Sequence, residues 1–203
     1  DLYMSKYEVV EKFVSINGEG TKAGQLAVFI RFKGCNLNCK YCDTKWANEQ
    51  GTPSQPMTEK EILDYVLSTG VKNVTLTGGE PLLREGIENV ITVLAENNLN
   101  IEIETNGSVY LDKIRKLHKE NVTFTMDYKL SCSGMEAAMN LDNFDILNSN
   151  DTVKFVAGCR EDLIKAKQII EKYNLYGKCN LYISPVFGMI EPEAVSYTHL
   201  RAH

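Results

Sequence analysis

The amino-acid sequence predicts an α/β protein built on a mainly parallel sheet. Three observations support this: segments rich in β-branched and aromatic residues recur along the chain, helical periodicity separates most of them, and polar or glycine-rich stretches follow them. Strands that alternate with helices pair in parallel through right-handed crossovers. Since 43% of the 203 residues are hydrophobic and 24% are charged, we expect a single domain over residues 1–203 with a substantial core.

Seven strands are expected, and the last six of them form the parallel sheet. They are placed at 6–14, 27–32, 71–77, 101–104, 122–127, 152–156 and 180–184. Helices are placed at 58–68, 84–97, 111–119 and 161–173. Thr58 is predicted to cap the first helix, because Glu61 stands three residues later and completes a capping box. The segment 47–56 is predicted to be a loop, since it carries two prolines and a glycine.

Composition limits the classes of function. The formal net charge of −5 argues against a nucleic-acid-binding surface. No apolar run approaches the roughly 18 residues that a membrane-spanning helix needs, and the start Met4-Ser5-Lys6-Tyr7-Glu8 lacks the apolar centre of a secretion signal. With six cysteines in such a chain, we expect a cytoplasmic protein with reduced thiols and with neither nucleic acid nor membrane as a partner.

Three cysteines offer the most specific chemistry. Cys35, Cys39 and Cys42 fall within eight residues, and Gly34 before them lets the chain turn. Four thiolates usually saturate a [4Fe–4S] cluster, so three would leave one iron atom open, as a metal that takes part in chemistry requires. The spacing therefore favours an iron–sulfur cluster with an open position.

Other interpretations of these cysteines agree less well with their neighbours. A buried helical stripe is disfavoured because Asn36 and Asn38 are poor residues for a helix interior. A zinc site needs a fourth ligand, and the nearest histidine, His118, lies far along the chain. Disulfides would imply a secreted protein. The other three cysteines have no compact spacing and are expected to be buried or incidental thiols: Cys132, Cys159 and Cys179.

Two further motifs accompany the cysteines. Thr77-Gly78-Gly79-Glu80-Pro81 ends one predicted strand, and Glu104-Thr105-Asn106-Gly107 ends the next. Together with the cysteine spacing, they resemble the radical S-adenosylmethionine (SAM) enzymes. Within that superfamily, Phe13-Val14-Ser15-Ile16-Asn17-Gly18-Glu19-Gly20 and Phe29-Ile30-Arg31-Phe32 resemble the 7-carboxy-7-deazaguanine synthase family. The resemblance covers residues 4–194.

This resemblance implies a fold and a set of cofactors. The fold is an incomplete TIM-type (β/α) barrel of about six parallel strands that forms a radical SAM core, with its site at the C-terminal ends of the strands. The cofactors are a [4Fe–4S] cluster held by Cys35, Cys39 and Cys42, SAM, and Mg²⁺. The resemblance places Mg²⁺ at Thr44, whose hydroxyl is a hard oxygen ligand of the kind that Mg²⁺ accepts. Capping a turn is the alternative role of Thr44.

The resemblance also implies which residues bind the small molecules. For SAM they are Tyr41, Cys42, Asp43, Gly79, Glu104, Lys129 and Ser131. For the substrate they are Ile16, Asn17, Gly18, Arg31 and Thr77. Three of these assignments have structural alternatives: a plain loop for 16–18, a salt bridge for Arg31, and a solvent-facing side chain for Lys129.

The activity implied is that of a radical SAM carbon–nitrogen lyase. A 5′-deoxyadenosyl radical would take a hydrogen atom from 6-carboxy-5,6,7,8-tetrahydropterin, and ring contraction with loss of ammonia would give 7-carboxy-7-deazaguanine, a queuosine precursor. A flavodoxin or ferredoxin as electron donor and a homodimer are implied in the same way. The alternatives are an activating protein for glycyl-radical enzymes and, from another class, an iron–sulfur electron carrier or a zinc-stabilised binding module.

The end of the chain departs from the family's pattern. After Pro185-Val186-Phe187-Gly188 the family continues into another strand and a C-terminal substrate contact, but residues 195–203 do not match that continuation. We therefore expect an atypical tail over 194–203, in which His199 and His203 are not ligands.

Overall fold

The computed structural model describes residues 6–118 and 120–195, and one sheet of eight strands forms its centre. The strands are β1 (Tyr7–Ile16), β2 (Leu26–Phe32), β3 (Gln55–Met57), β4 (Asn73–Gly78), β5 (Asn100–Thr105), β6 (Val122–Lys129), β7 (Thr152–Ala157) and β8 (Asn180–Pro185). Their order is β3-β1-β2-β4-β5-β6-β7-β8. From β2 to β8 all neighbours are parallel, whereas β1 runs antiparallel to β2 and β3.

These six parallel strands confirm the predicted α/β fold. The strands β3 and β8 lie at the two edges, so the sheet does not close on itself within the described residues. The architecture is therefore the incomplete TIM-type barrel that the family resemblance implied.

Helices cover the outside of the sheet. They are α1 (Glu59–Thr69), α2 (Ile87–Glu96), α3 (Asp112–Leu117), α4 (Asn143–Ile146) and α5 (Arg160–Lys172). The capping box at the start of α1 is confirmed: the hydroxyl of Thr58 accepts the N–H of Glu61, whose carboxylate accepts the N–H of Thr58.

The two faces of the parallel strands differ in chemistry, because successive residues of a strand point to opposite sides. One face, called here the outer face, packs with the helices in a continuous hydrophobic core that includes Ile30, Leu76, Ile103, Phe124 and Phe155. The opposite face, called the inner face, borders a cavity with the neighbours of those residues in sequence: Arg31, Thr77, Glu104, Thr125 and Lys154. Stability and chemistry are thus divided between alternate positions of the same strands.

Some predicted boundaries were wrong. The segment 47–56 is not entirely a loop, because β3 pairs with the start of β1, and its Pro56 is tolerated at a sheet edge. The predicted helix 84–97 begins only at Ile87, since Gly86 before it has a left-handed φ of +73°. The predicted helix 111–119 spans Asp112–Leu117, and position 119 lies outside the described residues.

Within the described ranges, no helix combines the length and hydrophobicity that crossing a membrane requires. Most of the expected atypical tail, including His199 and His203, lies outside the described residues.

Candidate active site

A cavity of about 750 Å³ opens at the C-terminal edge of the parallel strands. It is lined by inner-face residues, by the segment 35–48 after β2 and by residues 184–187 at the end of β8. Its charged side chains include both signs: Glu19, Asp43, Glu104, Asp127, Arg31, Lys129 and Lys154. Because barrels of this type keep their chemistry at this edge, the cavity is the candidate active site.

Residues 35–42, called here the cluster loop, are tied to the strands on both sides of the cavity. Gly34, just before the loop, has a φ of +94°, and its carbonyl accepts the N–H of Glu80 after β4 at 2.9 Å. Near the end of the loop, the hydroxyl of Tyr41 donates to the carbonyl of Val156 in β7 at 3.1 Å. The position of the loop is therefore set from two directions.

Gly79 packs its backbone against the start of the cluster loop. A Cβ atom on Gly79 would lie 1.9 Å from the carbonyl oxygen of Gly34 and 2.6 Å from Oδ1 of Asn48. The same Oδ1 accepts the N–H of Gly34 at 3.1 Å. Only glycine fits at position 79, since any Cβ would force these groups apart. Gly79 was expected to contribute to the SAM site, and in the structure it also lets two backbone segments pack closely.

The arrangement of the three thiols fits a cluster with three protein ligands. Cys35, Cys39 and Cys42 all line the cavity, but among the described residues their sulfur atoms are not gathered as closely as the ligands of a single ion. No histidine or fourth cysteine of those residues lines the cavity. Since a [4Fe–4S] cluster spaces its thiolate ligands around a cube, the site suits a cluster better than tetrahedral zinc.

A cation lies on the same wall as these thiols. Burial raises the pKa of the Cys39 thiol, and Lys129 lowers it. Burial is the largest single influence on the pKa of Lys129 and lowers it, but the carboxylate of Asp127, which contacts it directly, together with Cys39 and Tyr41, raises that pKa above its ordinary value. The Lys129 side chain is only 14% exposed, so the alternative of a solvent-facing lysine is wrong. The pKa of Cys39 stays above its ordinary value overall, and the positive charge of Lys129 offsets part of that rise.

Glu80, which was not predicted to be a site residue, connects the motif after β4 to the motif after β5 through hydrogen bonds. Its carboxylate accepts hydrogen bonds from the N–H of Leu82, the hydroxyl of Thr105 and the N–H of Asn106 at 3.1, 3.0 and 2.6 Å. Burial raises the pKa of Glu80 to about 7, although these bonds lower it. Asn106 in turn places its Nδ2 3.6 Å from the sulfur of Cys35. Glu80 therefore positions a side chain that contacts a predicted cluster ligand.

Arg31 and Glu104 face the cavity from strands on either side of β4. Nε of Arg31 lies 3.0 Å from the carboxylate of Glu11, and Nη1 lies 3.4 Å from the carbonyl of Gly78. Three of the five guanidinium N–H groups have no partner among the described residues, so a salt bridge and a ligand contact are compatible. Burial raises the pKa of Glu104, while a hydrogen bond from Thr77 lowers it.

Ion-paired residues that were not predicted to belong to the site also line the cavity. Lys154 in β7 contacts Glu19, and Asp127 in β6 lies opposite Lys154 in the sheet register. Burial lowers the pKa of Lys154, but the carboxylates of Asp127, Glu19 and Glu104 together raise it above its ordinary value. The alternation of apolar and polar residues along these strands is the sequence signal that could have identified them.

The chain is similar over most of its length to curated enzymes that share one name. It is 60% identical over 190 residues to the 7-carboxy-7-deazaguanine synthase of Clostridium acetobutylicum, covering 93% of this chain and 86% of that enzyme. It is 34% identical over 196 residues to the synthase of Chlorobaculum tepidum, covering 95% and 86%. The chain belongs to the 7-carboxy-7-deazaguanine synthase family.

Further comparisons agree with membership of this synthase family. The family described as the radical SAM superfamily matches residues 29–129, which contain the cluster loop and the motifs after β4 and β5. The crystal structure of QueE from Escherichia coli has a TM-score of 0.75 at 21% identity, covering 97% of this chain and 89% of that one. Streptococcus suis SuiB bound to S-adenosylmethionine has a TM-score of 0.56 at 14% identity, covering 83% and 42%. At these identities the two structures support the fold alone.

Membership of the synthase family bears on the alternatives. Identity to synthases along nearly the whole chain favours a synthase over an activating protein for glycyl-radical enzymes. Three spaced thiols with no fourth ligand among the described cavity residues argue against an electron carrier with a fully ligated cluster and against a zinc module.

Four residues that were predicted to bind ligands do not line the cavity of this family member. They are Ile16, Asn17, Gly18 and Ser131. Ser131 is exposed on a short helix after β6, and Ile16 is 65% exposed. Asn17 is buried, its amide donating to Glu102 at 3.3 Å and its N–H donating to the carbonyl of Gln25 at 2.8 Å. The backbone N–H of Asn17 is therefore already used within its own loop.

The predicted magnesium ligand lies at the rim of the cavity in this synthase family member. Thr44 and Asp43 follow Cys42 and line the cavity with it. The hydroxyl of Thr44 makes no capping hydrogen bond to the 3₁₀ helix Lys45–Asn48 that follows, and it lies 3.6 Å from the sulfur of Cys42. A side-chain cap, the alternative role for Thr44, is therefore not formed.

Proposed function

We propose that this chain is a radical SAM lyase that converts 6-carboxy-5,6,7,8-tetrahydropterin to 7-carboxy-7-deazaguanine with loss of ammonia, in the biosynthesis of queuosine. The observation that carries the proposal is the 60% identity to a synthase of that name over 86% of its length. The cavity supports it, because three thiols and charged groups of both signs face one space that can hold a cosubstrate and a small polar substrate.

In this proposal Cys35, Cys39 and Cys42 hold the [4Fe–4S] cluster. When bound, the cluster supplies the low-potential electron that cleaves SAM and begins radical chemistry. The fixed ends of the cluster loop hold the three thiolates in place, and the buried Lys129 acts on Cys39, where it lowers a pKa that burial raises. Nδ2 of Asn106 and the N–H of Leu37 donate to the sulfur of Cys35 at 3.6 and 3.4 Å, and these contacts help to orient this ligand.

Side chains around the cluster loop would bind SAM, a cation with a carboxylate and a ribose. In this proposal the carboxylate of Glu104 on the inner face accepts hydrogen bonds from the ribose hydroxyl groups, and Lys129 binds the carboxylate of SAM. Backbone groups near Tyr41, Asp43 and Gly79 complete the SAM site. Ser131, on the surface after β6, would need to reorient its hydroxyl away from Asp162, to which it donates at 3.3 Å.

Arg31 would bind the carboxylate of the pterin. A guanidinium can bind a carboxylate through two parallel hydrogen bonds, and its pairing with Glu11 fixes the side chain before the substrate arrives. Thr77 lies in register with Arg31 on the neighbouring strand. Residues 16–18 would contact the substrate from the loop after β1 that also carries Glu19 into the cavity.

Mg²⁺, with Thr44 as its protein ligand, would orient the substrate. A hydroxyl oxygen at the rim of the cavity, not used as a helix cap, suits a cation that keeps several waters. A flavodoxin or ferredoxin as electron donor, a homodimer and a cytoplasmic location complete the proposal and rest on the family resemblance.

The test is product formation by the anaerobically reconstituted chain. Supplied with SAM, a reductant, Mg²⁺ and 6-carboxy-5,6,7,8-tetrahydropterin, the protein should release 7-carboxy-7-deazaguanine and ammonia, measured by liquid chromatography with mass spectrometry. Visible absorbance and electron paramagnetic resonance spectra recorded before and after SAM addition test the open iron position separately.

Arg31→Lys provides a matched variant. It keeps the charge but loses the paired donors, so the KM for the pterin should rise while the response of the cluster spectra to SAM stays the same. Cleavage of SAM without any deazaguanine product would contradict the proposed substrate, and spectra that do not respond to SAM would contradict the proposed cofactor site.

A further inference from the structure

Two cysteines lie in contact outside the candidate active site. Cys132 is in the 3₁₀ helix Ser131–Ser133 after β6, and Cys159 is the N-cap residue of α5 after β7. Their sulfur atoms are 2.7 Å apart, and both side chains are partly exposed. Neither lines the cavity of the cluster loop. Their sequence spacing predicted buried or incidental thiols, but the parallel pairing of β6 with β7 brings the two together.

We propose that Cys132 and Cys159 form a reversible intramolecular disulfide, a modification site separate from the cluster ligands. Their sulfur atoms are roughly 0.7 Å beyond the length of an S–S bond, which is about 2.05 Å. Partial exposure lets a small oxidant reach them. A disulfide in a chain expected to stay reduced would be transient and responsive to redox conditions rather than structural.

The geometry favours a disulfide over a metal ion at this place. Asp162 is a third potential ligand beside the two thiols, but its carboxylate accepts N–H groups of Cys132 and Gly158 at 3.2 and 2.9 Å. Two thiolates on tetrahedral zinc would lie about 3.8 Å apart, since each Zn–S bond is about 2.3 Å long. The two sulfur atoms are about 1 Å closer together than two thiolates on zinc would be. The carboxylate of Asp162 is already used as an acceptor for backbone N–H groups.

The chemistry balances with a low-molecular-weight disulfide such as glutathione disulfide as the oxidant. The hydrogen bond between the two thiols, followed by burial, raises the pKa of Cys132 to about 12. In one order of attack, the sulfur of Cys159 attacks the oxidant, and its proton passes to the leaving glutathione. Cys159 thereby forms a mixed disulfide and releases one glutathione. Cys132 then displaces the second glutathione, to which its proton passes, and the S–S bond of the protein forms. Two thiols are oxidised, and one glutathione disulfide is reduced to two glutathiones.

The disulfide would join the segments that follow two inner-face strands. Cys132 comes three residues after Lys129, and Cys159 comes three residues after Val156, whose carbonyl accepts the hydroxyl of Tyr41. Oxidation therefore links two supports of the cavity without using any of its thiols.

Peptide mapping of the reconstituted full chain tests the proposal. The protein is equilibrated anaerobically with glutathione disulfide, its free thiols are alkylated, and it is digested with trypsin without reduction. Trypsin places Cys132 in 130–154, Cys159 in 155–160, Cys179 in 179–201 and the cluster-loop cysteines in 34–40 and 41–45. We expect peptides 130–154 and 155–160 to be linked, with the loss of two hydrogen atoms, and the link to disappear after treatment with dithiothreitol.

Two variants and a metal analysis make the result decisive. Cys159→Ser should abolish the link and leave Cys132 alkylated or as a mixed disulfide with glutathione, whereas Cys179→Ser should keep the link, with circular dichroism confirming that both variants fold. Alkylation of both thiols in excess glutathione disulfide would overturn the proposal. So would one zinc atom per chain that the wild type retains and Cys159→Ser loses, since that outcome assigns a metal site to the pair.

Discussion

The outer and inner faces of the parallel strands use the same backbone for opposite purposes. On β5, Ile103 is completely buried against the helices, while its neighbour Glu104 faces the cavity. On β7, Phe155 lies in the core and Lys154 pairs with Glu19 beside the cavity. A shift of one residue in strand register would move the apolar side chains to the inner face and the charged ones to the outer face. Burial of the apolar side chains therefore also fixes the positions of the charged groups on the inner face.

The two faces make different contributions to the free energy of folding. Apolar side chains on the outer face contribute stability through burial. On the inner face, burial instead raises the pKa of Glu104 and of Glu102, to about 8 for Glu102, which means that ionising these carboxyl groups opposes folding. The hydrophobic core on the outer face therefore compensates for the unfavourable burial of charged groups on the inner face. Substitutions on one face can be tested separately from substitutions on the other.

The largest effect is expected from the thiols at the rim of the inner face. Cys39→Ser should lower cluster content and SAM cleavage by more than about 100-fold, the upper figure for losing a group that only supports a metal ligand. Stability of the protein without its cluster should change little, because serine nearly matches cysteine in size. Iron analysis and 5′-deoxyadenosine formation provide the measurement. Cys179→Ser is the matched control, and a cluster that survives Cys39→Ser would contradict the three-ligand site.

The second-largest effect is expected from shortening a buried side chain on the outer face. Ile103→Ala should lower the free energy of unfolding by about 2–5 kcal/mol, the usual cost of removing a buried aliphatic side chain. Urea unfolding followed by circular dichroism measures this change. The affinity for SAM of the fraction that remains folded should stay as in the wild type. A large loss of SAM affinity without a loss of stability would show that the two faces are not separable.

Substitution of the adjacent residue should give the opposite pattern. Glu104→Gln should weaken SAM binding by about 10- to 100-fold, the cost of losing a charged hydrogen-bond acceptor. It should leave the free energy of unfolding unchanged or higher, since a buried carboxylate is removed. Equilibrium dialysis with labelled SAM and urea unfolding give the two numbers. Destabilisation as large as that of Ile103→Ala would contradict the assignment of Glu104 to the chemical face.

The fold could be predicted because its signals are local. Apolar runs at regular intervals mark the six parallel strands, and the capping box of Thr58 and Glu61 marks the start of α1. Strand β3 could not be predicted, because Gln55-Pro56-Met57 becomes a strand only by pairing with the distant Tyr7–Val9. The boundary of α2 was missed because it depends on the left-handed conformation of Gly86.

The candidate site could be predicted in part. Cysteine spacing and the motif after β4 are contiguous in sequence, and the structure brings those residues to one cavity. Contacts between motifs could not be predicted from the sequence. The role of Glu80, for example, depends on Thr105 and Asn106, which belong to the neighbouring strand and the residue after it. The loop 16–18 was placed at the cavity by resemblance, whereas Asn17 turns its amide to a deeper carboxyl group, that of Glu102.

The smallest predicted effect is the contribution of the Glu102 carboxyl group to the pH dependence of stability. Glu102 is 4% exposed, and one of its oxygens has no hydrogen-bond partner among the described residues. Burial, followed by the charge of Glu104, raises its pKa to about 8, well above that of an unfolded chain. Between these two pKa values the folded state holds a proton that the unfolded state has lost. The contribution of Glu102 to stability is therefore complete at acid pH and is lost as the pH rises towards 8, by at most about 1.4 kcal/mol per pH unit.

Glu102→Gln removes this titration while keeping an acceptor for Asn17. The free energy of unfolding of the variant, relative to the wild type, should therefore increase steadily from pH 5 to about pH 8. Urea unfolding of the protein without its cluster, at unit steps of pH, measures the difference. Glu104→Gln is the control for the coupling between the two carboxyl groups. A difference that does not vary with pH would mean that Glu102 titrates normally and that the deepest layer of the inner face is open to water.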